Sequence, residues 1–273
     1  MVSKKGTCRK GARGMLRKDQ EWISEFLRNY QLELEFYEDF GKVKKVYTNN
    51  GVFAIKTIPA TKGIDFIKNV QNLYQNGYNR IVPIFPTVDG RYGVLTHDKI
   101  SYLMPWLPDE HIEERAERHQ QMFRELARMH TLSGKEINIT KEEREEHYEK
   151  TVKEWEEQKE FIREMVTSIE KKWYMSPFEQ LFSMCFYDLS QALTYSLNKL
   201  KEWFDLTKEE EKVRSVVTHG NISVHHFLYS ENGYGHFINF EQSKTAPAYF
   251  DLLPFVVKQL KTYPIQGEEI VEW

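Results

Sequence analysis

The chain has 273 residues, of which 40% are hydrophobic and 29% charged, and a net charge of −3; its mean hydropathy is −0.63. That length allows one large domain or two small lobes around a substantial core, and the near-balance of charge points to neither a nucleic acid nor an acidic substrate. The two cysteines, Cys8 and Cys185, predict no structural disulfide and a reducing compartment, and no apolar run approaches the ~18–20 residues of a membrane span.

The first eighteen residues carry seven basic side chains, no acidic ones and no signal-peptide-like apolar segment. They are read as a disordered basic tail or a misplaced start, in preference to a targeting or RNA-binding arm. From Asp19, the residues Trp22, Phe26 and Leu27 fall at helical spacing and predict a short amphipathic helix. "LELEFYEDFG" and "KVKKVYT" then alternate with period two, and Asn50-Gly51 signals a hairpin turn before "VFAIKTI". Residues 64–76 read as a helix that stops at Gly77. A second hairpin is predicted from "IVPIFPTV", Asp89-Gly90 and "RYGVLTH", and "ISYLMPWL" continues as an apolar strand. Residues 19–104 therefore predict a small lobe of antiparallel sheet plus helix.

Beyond Trp106 the pattern turns helical. "ERHQQMFRELARMHTLSG" places Phe123, Leu126, Ala127 and His130 on or near one face. Residues 139–173 are highly charged with sparse apolar positions, which predicts a long solvated helix; the broken heptad argues against a coiled coil. "SPFEQLFSMCFYDLSQALTYSLNKLKEWF" is the strongly apolar helix expected in the core. The stretch from Val216 to Glu241 follows, with an Asn232-Gly233 turn between two apolar runs.

Four motifs carry more than architecture: "VFAIK" with Lys56, "YLMPWL" with Met104, "ELARMHTLS" with His130, and "HGNISVHHFL…INFE…FDLLPF". Taken singly, a strand lysine is an edge charge, an apolar strand before a proline is core, and a helix histidine is a buried hydrogen-bonding group. Their order and spacing resemble the protein-kinase-like fold, more closely the aminoglycoside phosphotransferase superfamily, and within it the CotS-type spore coat proteins (the YsxE-like branch). The resemblance covers roughly residues 25–260. It implies a two-lobed α+β fold: a basic tail over 1–18, a small β-rich N-lobe over 19–104, and a mainly helical C-lobe over 105–273. It also implies that Lys56 stands where a lysine meets nucleotide phosphates, Met104 at the hinge beside an adenine, and His219 as a structural loop residue. Asp251 would be the structural aspartate.

In the family the loop reads H-G-D-x-x-x-x-N and the later strand carries a metal aspartate. This chain has Asn221 at the base position, His226 at the metal-ligand asparagine and Asn239 at the metal aspartate. A carboxamide cannot take a proton at neutral pH, and losing general-base help costs typically ~10²–10⁴-fold. Mg²⁺ is hard and prefers anionic oxygen, so His226 and Asn239 are poor replacements. Glu241, two residues beyond Asn239 on a predicted strand, would share its face and is the one candidate for rescuing a metal site, against the plainer reading as a salt-bridge residue. The helix after Lys56 offers no glutamate to pair with it, only Asp65 at its start and Gln71 near its middle, and the preceding loop has only Gly41.

A zinc site built from His219, His225, His226 and His236 is the metal alternative. It is disfavoured because His225 and His226, adjacent on an extended segment, would point apart. Only 22 residues follow Asp251, fewer than the family's remaining helices need, so Phe255, Val256, Val257 and Leu260 are expected to lack cover and to favour self-association. The expectation is a pseudokinase with no cofactor in use, ATP and Mg²⁺ being the ligands the resemblance would otherwise supply. The resemblance implies other spore coat proteins as partners, no nucleic acid or membrane, and residence in the mother-cell cytoplasm and then the coat. The alternative is an active, atypical ATP-dependent phosphotransferase acting on a small molecule or protein.

Overall fold

The computed structural model describes residues 19–107, 115–229 and 235–262. The predicted basic tail, Cys8 and the Asn232-Gly233 turn lie outside them. These residues form two compact units: one runs to Lys135 and resumes at Ser215, and the other is Glu136–Arg214.

The first unit opens with α1 (19–28), whose Ile23, Phe26 and Leu27 pack with Val46, Ile55 and Leu103 in a small core. That core lies on a five-stranded antiparallel sheet of order β1-β2-β3-β5-β4. Its strands are β1 (Leu34–Phe40), β2 (Val43–Thr48), β3 (Gly51–Pro59), β4 (Val94–Thr96) and β5 (Lys99–Pro105). Thr48 pairs with Gly51, so the turn residues are Asn49 and Asn50, one position earlier than the Asn-Gly signal suggested. Gly51 still matters, because its φ of +123° is costly for any residue with a side chain. α2 (Ala60–Gln75) follows and buries Phe66, Val70 and Leu73, the i, i+4, i+7 stripe of an amphipathic helix.

The second predicted hairpin forms differently. β4 pairs with β5 across His97-Asp98, while residues 81–88 contribute only isolated bridges, Ile81 to Phe237 and Phe85 to Leu103. Pro83 and Pro86 each remove a backbone donor, so that run cannot sustain a ladder. The Asp89-Gly90 turn does form: the Gly90 N–H donates to Thr87 O at 2.9 Å.

α3 (Arg115–Leu132) buries Met122, Leu126 and Met129, whereas Ala127, expected on the apolar face, is exposed. With α2, α3 packs into a larger core that includes Tyr102, Phe227, Phe237, Phe240 and Phe255. β7 (Lys212–Thr218) pairs antiparallel with β10 (Lys244–Ala246), and β8 (Phe227–Tyr229) with β9 (Gly235–Phe237). α6 (Tyr249–Thr262) supplies Phe255, whose ring lies 5.0 Å from that of Phe123. Phe255 is thus buried and covered by α3, contrary to the exposure expected of it. Val257 is exposed, and the Leu260 side chain lies outside the described residues.

The second unit begins within β6 (Lys135–Asn138) and is a helical hairpin of α4 (Lys141–Glu170) and α5 (Pro177–Thr207). Both helices start with reciprocal capping boxes, Thr140 with Glu143 and Ser176 with Glu179. α5 has no fully buried residue, which overturns its assignment as the core helix. Its half-buried positions, such as Phe182, Phe186, Leu193 and Leu200, recur every three or four residues, and Phe204 stacks on Tyr148 of α4 at 4.2 Å. Leu181, Met184, Tyr187 and Tyr195 fall off that stripe and are exposed. Apolar content alone does not report how many faces a helix buries. Among the described residues no helix is long and apolar enough to cross a membrane.

Candidate functional site

The site is built where β7 ends. His219 is fully buried, with ring Nε2 2.7 Å from Ile238 O and Nδ1 accepting the Asn221 N–H at 3.2 Å. Nε2 therefore donates and Nδ1 accepts. Burial holds the imidazole neutral, pushing its pKa down to about 4 against the opposing pull of the Ile238 bond and the Asp251 charge. Both ring nitrogens are engaged, so His219 has no lone pair for a metal. Gly220 adopts φ +78°, and a Cβ there would stand 2.2 Å from Gln242 O, so both conformation and space demand glycine.

Asp251, in the first turn of α6, is 1% exposed. Its carboxylate accepts the His219 N–H at 2.9 Å, the Gly220 N–H at 2.7 Å and the His130 ring N–H at 2.9 Å. Three donors on one buried carboxylate satisfy its charge and tie the loop to α6 and α3. His130 and Asp251, from separate sequence motifs, thus meet in one bond.

Asn221 is half-buried and its carbonyl accepts the His226 Nδ1–H at 2.8 Å. His226 ends a 3₁₀ turn, Val224–His226, in which the Ser223 hydroxyl accepts the His225 N–H. The segment is a tight turn and not extended, yet His225 is exposed and His226 half-buried, so the two still diverge. Burial lowers the His226 pKa, with the charges of Lys56 and Lys258 pushing the same way; the ring is neutral at pH 7. Among the described residues no group of three or more His, Cys, Asp or Glu could hold a metal ion.

Lys56 completes the site. It is 8% exposed on β3, and its ammonium contacts Asn239 Oδ1 and forms an ion pair with Glu241 Oε1. Tyr102, opposite Lys56 in the β3–β5 register, donates to the same Oε1 at 2.6 Å. Burial raises the Glu241 carboxyl, but the Lys56 charge and the two hydrogen bonds outweigh it and hold the group below its usual range. β9 stops at Phe237, so Asn239 and Glu241 do not share a strand face as predicted. Asn239 is left-handed (φ 69°, ψ 46°) and opens a 3₁₀ turn, Phe240–Gln242, which brings both side chains to Lys56. An asparagine adopts that conformation more readily than most residues.

α2 brings an amide and no acid to this region: Asn69 Nδ2 donates to Ser243 O at 3.0 Å and lies 3.1 Å from Ser243 Oγ. Asp65 is exposed. Met104 pairs with Ala54 and lines a cavity of about 10 Å³ with Phe66, Val70, Tyr102 and Asn239, room for one water at most. Tyr102 and Asn69 were not anticipated. Tyr102 could have been found from its register, since a hydroxyl-bearing ring opposite a buried lysine needs a polar partner; nothing in the sequence marks Asn69.

These donors do not fit Mg²⁺. Glu241 neutralises the ammonium, Asp251 already accepts three hydrogen bonds in the loop, Asn239 is uncharged and oriented to Lys56, and His226 offers nitrogen to a cation that prefers oxygen.

No family model matches the chain, and no curated protein matches it. Several solved structures do. An aminoglycoside phosphotransferase from Alicyclobacillus acidocaldarius superposes with TM-score 0.66 at 15% identity, covering 87% of this chain and 71% of the other. A spectinomycin phosphotransferase gives TM-score 0.58 at 16% identity in its AMP complex, covering 92% and 78%. The same enzyme with ADP and spectinomycin gives 0.53 at 14% identity. The chain has the kinase-like fold of the aminoglycoside phosphotransferases, with an antiparallel sheet in its N-terminal part and helices dominating its C-terminal part.

Proposed function

We propose that this chain keeps the frame of a phosphotransferase without the reaction: a pseudokinase serving as a structural or interaction component of a spore coat, alongside other coat proteins. The coat setting, with synthesis in the mother cell, rests on the sequence resemblance described above. The loss of chemistry is supported above all by Lys56, whose ammonium is held by Asn239 and Glu241. Phosphoryl transfer of the kinase type relies on positioning, metal ions and a carboxylate that orients the hydroxyl. Here Asn221 stands at the base position, and among the described residues Glu241 and Asp251, the carboxylates of this region, are both engaged. An interaction role is supported by the exposed aromatic residues of the second unit, Trp173, Tyr174, Phe178 and Tyr187.

The test is thermal stability with ATP, with and without Mg²⁺, together with radiolabel transfer from [γ-³²P]ATP. Neither Mg²⁺-dependent stabilisation nor transfer is expected of the native chain. The triple variant Asn221→Asp, His226→Asn, Asn239→Asp should gain Mg·ATP binding. Phosphorylation of any substrate by the native chain would overturn the proposal in favour of an atypical phosphotransferase.

A further inference from the structure

The carboxylate that pairs with Lys56 comes from an unusual place for a kinase-like site. In protein kinases the strand lysine is paired with a glutamate of the following helix and reaches the nucleotide phosphates. In this chain the corresponding face of α2 is occupied otherwise: Phe66 packs on Tyr102 at 5.1 Å between ring centres, Val70 is buried, and Asn69 is engaged with Ser243. The counter-charge arrives instead from another element, the 3₁₀ turn after Asn239.

We propose that Glu241 is a specificity-determining residue that sets the Lys56 site against polyphosphate ligands, by holding the ammonium in an internal ion pair. The inference deepens the pseudokinase reading and rests on its placement of Lys56 at the phosphate-facing position. An ammonium has three donor directions, and Asn239 and Glu241 take two of them. The pair is nearly dry, with side-chain exposures of 10% for Lys56 and 12% for Glu241. A carboxylate held there by two donors, the Lys56 ammonium and the Tyr102 hydroxyl, does not swing aside freely. An approaching phosphate therefore meets a neutral pair in place of a positive charge, with the Glu241 oxygens nearby to repel it. The same pairing removes Glu241 as a rescuing metal ligand, because leaving Lys56 would strand a buried ammonium. The contact also fastens residues 239–243 to β3 and β5, and Asn69 fastens Ser243 to α2.

The experiment is equilibrium binding of ATP and of inorganic pyrophosphate in EDTA to the full chain and to Glu241→Gln, Tyr102→Phe and Lys56→Met/Glu241→Gln. Glu241→Gln preserves shape and removes the competing charge, so it should bind both anions about tenfold more tightly than the native chain, or better. The gain should vanish in the double variant, which lacks the ammonium. Tyr102→Phe keeps the ring packing, removes one of the two donors holding Glu241 and should raise affinity two- to fivefold; it serves as the informative variant if Glu241→Gln does not fold. Unchanged or weaker binding by Glu241→Gln and Tyr102→Phe would overturn the proposal, and weaker binding would mean that Glu241 presents Lys56 to phosphate. Failure of the pseudokinase reading would show up separately, as Mg²⁺-dependent phosphoryl transfer by the native chain.

Discussion

Replacing Lys56 by methionine removes the ammonium and leaves Glu241 as a buried carboxylate whose remaining side-chain donor is the Tyr102 hydroxyl. Removing one partner of a buried ion pair costs about 3–5 kcal/mol. The surviving hydrogen bond to a charged group retains about 1.5–3 kcal/mol of interaction and Glu241 is not wholly dry, so we expect a loss of about 2–4 kcal/mol. The second replacement, Glu241→Gln, should recover most of it, since a neutral amide can still accept from Tyr102 and no charge is left stranded. Urea unfolding of the native chain, both single variants and the double variant would close the cycle, with a coupling of ~2 kcal/mol or more between the two sites. The pH dependence should agree. Glu241 titrates below its usual range in the folded state, so its contribution is present above the unfolded carboxyl pKa and lost as pH falls through the folded value. Lys56→Met should abolish that acid-side loss. A Lys56→Met chain within ~0.5 kcal/mol of native, the range typical of surface substitutions, would refute a buried, coupled pair.

Three further outcomes follow from the loop. Asp251→Asn replaces an acceptor of three hydrogen bonds by an amide that presents two donors of its own beside the His219 and Gly220 N–H groups; a loss of about 3–5 kcal/mol is expected in denaturant unfolding. Gly220→Ala meets both a left-handed backbone and the Gln242 carbonyl, and its melting temperature should fall by an amount corresponding to more than ~1–2 kcal/mol. His219 is held neutral with a pKa of about 4. The unfolded chain therefore takes up its proton first, and stability should rise between pH ~4 and ~6.5 by about 3 kcal/mol from this group; His219→Gln should flatten that slope in pH-dependent unfolding curves.

Much of the frame was legible because it depends on local rules. Period-two alternation in "VKKVYT" and "VFAIKTI" specified paired strands, and the run 64–76 ending at Gly77 reads as a helix, whose buried face the structure shows to be Phe66, Val70 and Leu73. The loop from Thr218 to Tyr229 carries Asn221 and His226 where the resemblance expects a base and a metal ligand. Less legible was anything set by how many neighbours an element has. α5 reads as core because it is rich in Leu, Phe and Tyr, yet it buries no residue fully, and Ala127 was placed on a face it does not occupy. Phe255 was expected to be uncovered, and α3 covers it. The run from Ile81 to Val88 looked like a strand until its prolines are set against the donors a ladder requires.

The amino-acid sequence by itself determined which groups this chain owns: amides at Asn221 and Asn239, an imidazole at His226, a lysine at position 56 and a glutamate two residues past Asn239. Those identities put amides and an imidazole where the resemblance described above expects a base and oxygen ligands for a metal. Only the tertiary structure decided what Glu241 does, because its partner lies far away in the chain and is reached through a left-handed residue and a 3₁₀ turn that strand periodicity does not foresee. Residue type limits chemistry locally, whereas the pairing of a buried charge is settled by where the backbone brings its counter-ion.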